Sequence, residues 1–326
     1  MNAKLSRREA LKAGAAVAAA AVAPKVFAQS GEPVKLVVTF PPGGSTDITA
    51  RMVQPRLAEL LGRPVIVENR PGAASQVGTQ YVARAQPDGD TLLVSFDTHA
   101  INPLVKKSLP YDTFKDFVGV TLAVRFPLVI GASLQTPGSN LREFLEAARK
   151  APGKYSYAST GVGSQNHLAP EDLKRRANVD ILHVPFGGGG PAVSAVLNNT
   201  VNITMLSYAA LKGNIAAGKI KALAVTGDKR LADLPNVPTV IESGYPGFEV
   251  YSWIGIFAPS GTPPATVKKL TDAWQGALND PQVKAKLVDS GFEVVASDGP
   301  ALDRYVREQY ERWANFVKET GLKVSE

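Results

Sequence analysis

The sequence predicts an α/β fold with two lobes, in which parallel-rich sheets are flanked by helices and two crossover strands join the lobes. Short apolar segments alternate with helical patterns along most of the 326 residues, as expected for parallel strands connected by helices. Glycine-rich turns lie at several strand–helix junctions. Two longer apolar runs, at 115–132 and 248–259, are long enough to leave one lobe and to return to it. We therefore expect residues 29–124 and 254–326 to form lobe 1 and residues 125–253 to form lobe 2.

The first part of lobe 1 contains three predicted strand–turn–helix units. Apolar, β-branched segments at 35–40, 64–69 and 91–96 are typical of buried parallel strands. Apolar residues recur at helical spacing over 48–61, and this pattern ends at Gly62. Three such units in succession indicate a parallel sheet with right-handed crossovers.

The same alternation continues through lobe 2 and into the carboxyl-terminal region. Further strands are predicted at 155–159, 180–186, 201–206 and 221–226. Helices are predicted at 140–150, after 164, from Pro191, and in the terminal region at 265–278, 281–290 and 300–320, with a short strand at 292–296. Because ligands bind off the carboxyl ends of strands in such sheets, we expect the site in a cleft between the lobes.

The amino terminus predicts export from the cytoplasm. Arg7 and Arg8 form a twin-arginine pattern, which an alanine-rich run at 13–23 follows. Val26 and Ala28 are small residues at the two positions that a signal peptidase reads. We interpret residues 1–28 as a Tat-like export signal, with an ordinary Sec signal as the alternative, and expect the mature chain in the periplasm.

Composition excludes several classes of site. The chain has no cysteine, so it can form neither a disulfide nor a thiolate metal site. Most of its formal net charge of +7 lies in the predicted signal, and no basic block with interleaved aromatic residues follows. We therefore expect no nucleic-acid partner. The three histidines do not have metal-ligand spacing, and we expect neither a metal nor a cofactor.

Four glycine-rich turns suggest how the chain would bind an anion. They lie at 40–47, 70–75, 159–164 and 186–191, each after a predicted strand and before a predicted helix. A helix start leaves free backbone N–H groups at the positive end of the helix dipole, where an anion can bind. We expect several of these starts to surround one small carboxylate. Serines and threonines at the turns have a second interpretation as helix caps.

Seven motifs, in the same order, resemble those of the substrate receptors of tripartite tricarboxylate transporters, the Bug family of periplasmic solute receptors. They are FPPGGSTD at 40–47, NRPGAA at 69–74, GVGS at 161–164 with His167 and Leu168, HVPF at 183–186, GKIKALAV at 218–225, VPT at 237–239 with Glu242, and APSGTP at 258–263. The resemblance implies a type II periplasmic-binding-protein fold, the Venus flytrap, which closes on a small organic anion. It also implies a monomer that passes the anion to a membrane permease or signals to a sensor kinase.

The resemblance also suggests which residues contact the ligand. Its first-lobe carboxylate loops correspond to Gly43, Gly44, Ser45, Thr46, Asp47, Gly72, Ala73, Ala74, Ser75 and Gln76 of this sequence, and its second-lobe contacts to Ser159, Thr160, Gly161 and Ser164. We add Pro42, Thr98, Gly163, Gly187, Gly188 and Ser207 as candidate ligand-binding residues. For Asp47 we favour a capping role or a contact on the lid side over direct binding of the anion, since a carboxylate repels an anion. For the 187–190 run, a flexible loop and a binding loop remain equal alternatives.

Two departures from the family pattern bear on the ligand. Leu206 and Ser207 occupy positions where the family commonly has Phe-Asp, and the 187–190 glycine run lacks the usual lysine. A different ligand tail, larger or less charged, would suit such a pocket.

The competing hypothesis is a periplasmic enzyme acting on a carboxylate. His99, Asp97 or Asp47 could then act as the base, and His99 follows a strand end that could face the cleft. The sequence contains neither a Walker loop nor a Gly-x-Ser-x-Gly elbow. We favour a receptor without catalytic residues, in which His167 and His183 pack in helix and strand. For Arg125 there are two alternatives, pairing with the far end of the ligand or with a surface acid, and we favour the surface acid.

Overall fold

The computed structural model describes residues 31–321. The predicted export signal at 1–28 lies outside the described residues. The strands are β1 (Val34–Val38), β2 (Val65–Asn69), β3 (Thr91–Phe96), β4 (Phe117–Ala132), β5 (Ser156–Ser159), β6 (Leu182–Pro185), β7 (Ile203–Ser207), β8 (Lys221–Val225), β9 (Tyr251–Pro259) and β10 (Glu293–Val294). The helices are α1 (Ser45–Leu61), α2 (Gln76–Ala83), α3 (Thr98–Val105), α4 (Leu141–Lys150), α5 (Gln165–Ala177), α6 (Gly189–Leu197), α7 (Tyr208–Ala216), α8 (Pro264–Leu278), α9 (Pro281–Asp289) and α10 (Gly299–Thr320).

The strands form two mixed sheets. In the first, β1 pairs in parallel with β2 and with β3, and β9 lies antiparallel between β3 and β4. In the second, β5 pairs in parallel with β6 and β7, while β4 pairs antiparallel with β7 and β8. The parallel strand–helix units that the sequence predicts are therefore present, and the antiparallel strands are added to them.

Strand β4 belongs to both sheets. Its first part, from Phe117 to Pro127, pairs with β9, and its last part, from Leu128 to Ala132, pairs with β7. Sixteen residues at about 3.3 Å each give it a length of roughly 50 Å, which lets one strand span two sheets. The predicted crossover at 115–132 is thus a continuous strand. Strand β9, at the predicted return, pairs with β3 and β4 in the first sheet.

Helix α1 shows how the sequence pattern produces the packing. Val53, Leu57 and Leu61 recur at helical spacing and are buried against the first sheet. Full burial of a leucine such as Leu57 contributes about 1.5–3 kcal/mol. The helix ends at Gly62, whose φ of 66° is the left-handed conformation common after a last helical turn. It begins at Ser45, three residues before the predicted start at Ile48, so the glycine turn leads directly into it.

The described residues contain no helix that is both long and apolar enough to cross a membrane.

Candidate functional site

A narrow cavity lies where the two sheets meet at β4. It is lined by Phe40, Gly44, Ser45, Thr46, Phe96, Phe126, Leu128, Thr160, Asn166, Gly189, Leu206, Ser207, Ala210 and Ser252. The volume that the centre of a water molecule can occupy in it is only about 30 Å³. The walls from the two sheets are therefore close together. A wider surface groove of about 710 Å³ lies by Arg149, Lys174 and Phe316. We place the candidate site in the narrow cavity, because the glycine turns at 40–47 and 186–191 open onto it.

The start of α1 provides backbone donors at this cavity. The first intrahelical bond runs from Ile48 N–H to the carbonyl of Gly44, at 2.9 Å. The N–H groups of Ser45, Thr46 and Asp47 come before it and have no intrahelical acceptor. Gly44 is the N-cap, and no side chain caps the helix. The interpretation of Ser45 and Thr46 as N-caps is therefore wrong, because the helix begins one residue earlier than that interpretation requires.

Asp47 supports the turn before α1. Its carboxylate accepts hydrogen bonds from Gly43 N–H at 3.0 Å, Arg51 Nε at 2.9 Å and Asn69 Nδ2 at 3.0 Å. Burial would raise its pKa, but these donors and the charge of Arg51 outweigh burial and lower it. Asp47 is 4% exposed and stays ionised within the protein. The capping role favoured above is wrong, because Asp47 lies in the first turn of α1 and holds the preceding turn rather than capping the helix.

The second sheet presents its own helix starts to the cavity. Gly189 begins α6, and Ser207 is the N-cap of α7. The 187–190 run is therefore not wholly a loop, because its second half forms the first turn of α6. Gly188, just before it, has φ 150°, and a Cβ there would lie 3.0 Å from Cδ of Pro41. The positive φ and this close approach between the two turns both favour glycine at this position.

The loop before α2 has an unusual backbone. Gly72 has φ 138°, and Ala73, Ala74 and Ser75 follow with φ of 47°, 52° and 76°. Each non-glycine residue in this region costs on the order of 1–3 kcal/mol. The loop is held by a 3.0 Å hydrogen bond between the Ser75 and Thr98 hydroxyls.

This strained loop lies against the second lobe's glycine turn. A Cβ at Gly161 would lie 3.9 Å from Cβ of Ala74, and Asn102 donates to the carbonyl of Ala74 at 2.9 Å. The loop therefore lies close to the opposite turn, and none of its residues lines the narrow cavity.

Two histidines hold the turn after β5. His167 Nδ1 accepts a hydrogen bond from Gly163 N–H at 3.1 Å, and His183 Nε2 lies 2.6 Å from Ser159 Oγ. Burial lowers the pKa of both rings, and for His183 the charges of His167 and Lys174 lower it further, to about 3. The predicted packing roles are confirmed, and both rings also fix a loop that carries candidate site residues.

Three polar side chains of the cavity lining are occupied by protein partners. Thr160 Oγ1 donates to Asn166 Oδ1 at 2.9 Å, and Asn166 Nδ2 donates to the carbonyl of Met205 at 2.6 Å. The Ser252 hydroxyl donates to the Asp97 carboxyl group. Burial raises the pKa of Asp97 to about 8, although the Ser252 bond acts in the opposite direction. Asp97 is therefore largely protonated near neutral pH.

His99 does not face the cavity, so this expectation was wrong. The ring is 1% exposed and packs 4.3 Å from Phe257 and 5.0 Å from Phe117, centre to centre. Burial lowers its pKa to about 3. His99 lies in the first turn of α3, and from there its side chain points into the core beside the first sheet. Arg125 is exposed and pairs with Glu293 at 2.9 Å, as the surface interpretation predicted.

The structure brings some of the candidate residues together and places others one layer away. Gly44, Ser45, Thr46, Thr160 and Ser207 line the cavity. The remaining candidates form or support the surrounding turns: Pro42, Gly43, Asp47, Gly72, Ala73, Ala74, Ser75, Gln76, Thr98, Ser159, Gly161, Gly163, Ser164, Gly187 and Gly188. Ser164 is the N-cap of α5, but its hydroxyl donates to the carbonyl of Gly161 at 2.7 Å rather than to a helix N–H.

Sequence reasoning missed most of the apolar lining. Phe40 and Phe96 come from strand ends in the first sheet, and Phe126 and Leu128 come from the middle of β4. The strand-end signal could have found the first pair. Nothing in the sequence distinguishes which residues of a long buried strand face a cavity. Within residues 31–321, no group of three or more histidine or acidic side chains could hold a metal ion.

Comparison with known proteins gives a consistent match. Residues 49–322 match the family described as tripartite tricarboxylate transporter family receptor. The UPF0065 protein in the tcbD-tcbE intergenic region of Pseudomonas sp. (strain P51) is 36% identical over 328 residues, covering 99% of this chain and 97% of that protein. Protein BugT of Bordetella pertussis is 33% identical over 315 residues, covering 95% of this chain and 97% of BugT.

Solved structures resemble the fold over nearly its full length. The R. palustris protein Rpa4515, solved with adipate, is 32% identical, has a TM-score of 0.87, and covers 90% of this chain and 98% of its own. MatC from Rhodopseudomonas palustris, solved with bound malate, is 34% identical, has a TM-score of 0.80, and covers 87% and 98%. The periplasmic binding protein BugD is 36% identical, has a TM-score of 0.85, and covers 90% and 99%. These similarities confirm the resemblance and the two-lobed fold class.

Proposed function

This chain belongs to the family of tripartite tricarboxylate transporter receptors, and we propose that it binds one small organic carboxylate in the cavity between its two sheets. The single observation that carries the proposal is the meeting of helix starts from both sheets, those of α1, α6 and α7, at that cavity. Structural neighbours solved with adipate and malate support the same ligand chemistry.

Backbone donors and hydroxyl groups are sufficient for this task. Each helix start contributes about 0.3–1 kcal/mol toward an anion, and more where water is excluded. Hydrogen bonds to a charged group add about 1.5–3 kcal/mol each. Three helix starts with the hydroxyls of Ser45, Thr46 and Ser207 can together reach the roughly −8 kcal/mol of micromolar binding. Affinity of this order still allows release to a transporter.

Ligand entry requires the two sides to separate. The cavity is too narrow for an organic acid to enter as it stands, and Gly188 and Gly161 lie close to turns of the opposite side. Residues 29–124 with 254–326 form one lobe in this proposal, and residues 125–253 form the other. β4 and β9 connect them and act as the hinge.

Family members and neighbours are binding proteins, and BugD is described as periplasmic. Transfer of a carboxylate to a membrane permease fits this setting, with a sensor kinase as the other partner to test. The role proposed here is non-enzymatic and involves no cofactor. An enzyme with His99 as base has no support from the site, since that ring is buried between Phe117 and Phe257.

A proline substitution tests the backbone donors directly. Ser45 is the first residue of α1, where proline removes one N–H and costs the helix little. Gly44 before it is extended, at φ −81° and ψ 168°, which suits a residue preceding proline. Ser45→Pro should weaken carboxylate binding by about tenfold or more, and Ser45→Ala, which keeps the N–H, should weaken it less.

Calorimetry and thermal unfolding with a panel of carboxylates provide the readout. A ligand at about 100 times its Kd stabilises the folded state by about 2.7 kcal/mol. The proposal fails if no carboxylate binds, or if Ser45→Pro binds as tightly as the unaltered protein.

A further inference from the structure

Helix α7 touches both the cavity and the opposite lobe. Ser207, its N-cap, and Ala210, in its first turn, line the cavity. The same helix packs against α1, which lies in the other lobe of the proposed division. Tyr208 reaches the segment that follows α9, because a Cβ at Gly291 would lie only 3.0 Å from Cδ1 of Tyr208. The helix that carries one of the three helix starts therefore also rests on lobe 1 outside the cavity lining.

Lys212 makes a polar contact between α7 and α9. Its ammonium lies 2.8 Å from the carboxylate and 2.6 Å from the carbonyl oxygen of Asp289, the last residue of α9. A cation is favourable there, because the last carbonyls of a helix lack intrahelical partners. The carboxylate of Asp233, which accepts a 3.3 Å hydrogen bond from the Tyr208 hydroxyl, lies 3.1 Å from the same ammonium. The hydrogen bond to Asp289 raises the pKa of Lys212, so the ammonium stays charged at neutral pH.

Helix α9 is in turn fixed to α1. Arg56 of α1 forms an ion pair at 3.2 Å with Asp280, the N-cap of α9. Val283 and Leu287 of α9 are buried in the same core cluster as Leu57 of α1, and the two helices pack against each other. Both α1 and α7 present a helix start to the cavity. The contacts from α1 to α9 and from α9 to α7 therefore connect two of these helix starts outside the cavity.

We infer that Lys212 is a positioning residue for ligand binding, which holds α7 against lobe 1 in the closed form without touching the ligand. The inference rests on the proposed function and on the proposed lobes, because Lys212 lies in 125–253 and Asp289 in 254–326. Separation of the lobes breaks this contact, so the contact stabilises the closed form alone and raises the affinity for the ligand. Release of the ligand also has to break it, so its loss acts mainly on the dissociation rate.

Lys212→Gln tests the inference, because it removes the charge and keeps much of the side chain. Calorimetry on the mature protein at pH 7.5 first screens acetate, hexanoate, malate, adipate, citrate, aspartate and benzoate, and the acid that binds most tightly is the probe. Lys212→Gln should bind this probe at least threefold more weakly than the unaltered protein. Stopped-flow measurements of tryptophan fluorescence should show that dissociation is faster by a similar factor, with the association rate changed less than twofold.

Two further variants locate the effect in the contact with Asp289. Lys212→Arg keeps the cation and should retain most of the affinity. Asp289→Asn should by itself weaken binding at least twofold. Added to Lys212→Gln, it should change the affinity less than twofold, because both substitutions remove the same contact. The Asp289 side chain is 72% exposed, so Asp289→Asn also tests the contact if Lys212→Gln does not fold, as judged by circular dichroism.

Lys268→Gln is the matched control. Lys268 pairs with Asp272 at 2.7 Å within α8, so this ion pair stays inside lobe 1, and its loss should change the affinity less than twofold. The inference is overturned if Lys212→Gln binds less than threefold more weakly, if Lys268→Gln loses as much, if the loss lies in the association rate, or if the losses add in the double variant. Each of these results leaves the carboxylate receptor standing. If no acid of the panel binds at millimolar concentration, the proposed function fails and this inference fails with it.

Discussion

The imidazole rings of His167 and His183 are stacked, with centres 4.0 Å apart and planes 14° from parallel. Tyr157 continues the stack at 4.9 Å from His183. A charged ring would repel its neighbour at this distance, and Lys174 adds a positive charge nearby. Both histidines are therefore held neutral, and each uses a ring nitrogen to fix the turn between Ser159 and Gly163.

This pair should make stability depend on pH. The folded-state pKa of His183 is about 3, below its ordinary 6.5, so unfolding favours protonation. The contribution of neutral His183 to the free energy of unfolding is therefore fully present above pH 6.5 and is lost as pH falls toward 3. Urea unfolding at pH 7, 6, 5 and 4 should show a smaller decline for His183→Phe, which keeps a stacked ring. At pH 7 this variant should lose about 1 kcal/mol with the Ser159 contact. Equal declines in both proteins would contradict the prediction.

Asp97 should also make stability depend on pH, but through a raised pKa rather than a lowered one. Its folded-state pKa of about 8 exceeds the ordinary 3.8, so the stability of the protonated form is present below pH 3.8 and is lost as pH rises through 8. Asp97→Asn resembles the neutral acid and should remove this loss. The free energy of unfolding of the variant, relative to the unaltered protein, should therefore rise between pH 5 and pH 8. A constant difference would show that Asp97 is ionised in the folded state.

Gly163 should be intolerant of a side chain. It has φ 77°, and a Cβ would overlap Cγ2 of Val105 across the contact between turn and helix α3. Gly163→Ala should cost about 1–3 kcal/mol in stability or weaken ligand binding by preventing closure. Adding Val105→Ala removes the closest overlap, with Cγ2, but leaves a tight 3.0 Å approach to Cβ and the backbone strain, so the double variant should recover part of the loss. Full tolerance of Gly163→Ala would mean that the two sides do not approach this closely in solution.

Asp47 should contribute to both stability and ligand affinity by supporting the turn before α1. Asp47→Ala removes the acceptor of the Gly43 N–H and one of the two acceptors of the Asn69 amide, and these two bonds together contribute about 1–3 kcal/mol. Ligand affinity should fall with it, because the turn positions the start of α1. Asp47→Asn keeps one acceptor oxygen and should lose less of both. Unfolding in urea measures the loss of stability, and calorimetry measures the loss of affinity. If Asp47→Ala binds its ligand with unchanged affinity, the turn does not position the binding site and the prediction is wrong.

Long local patterns allowed most of the elements to be predicted from sequence. Helix α1 follows from Val53, Leu57 and Leu61 at helical spacing and a terminal Gly62. β1, β2 and β3 follow from short β-branched runs between turns. These signals depend only on residues that are close together in the chain, so they can be recognised from the sequence alone. The antiparallel insertion of β9 between β3 and β4 depends on pairing between distant segments, and no local signal marks it.

The amino-acid sequence by itself determined the α/β class, the glycine turns, the helix starts that follow them, and the family to which the chain belongs. Only the tertiary structure decided that His99 lies in the core, that Asp47 serves its own turn, and that Phe126 and Leu206 line the cavity. The physical reason is that helix and turn formation are set by residues a few positions apart. Burial, pKa and cavity lining are set by which distant segments pack against each other.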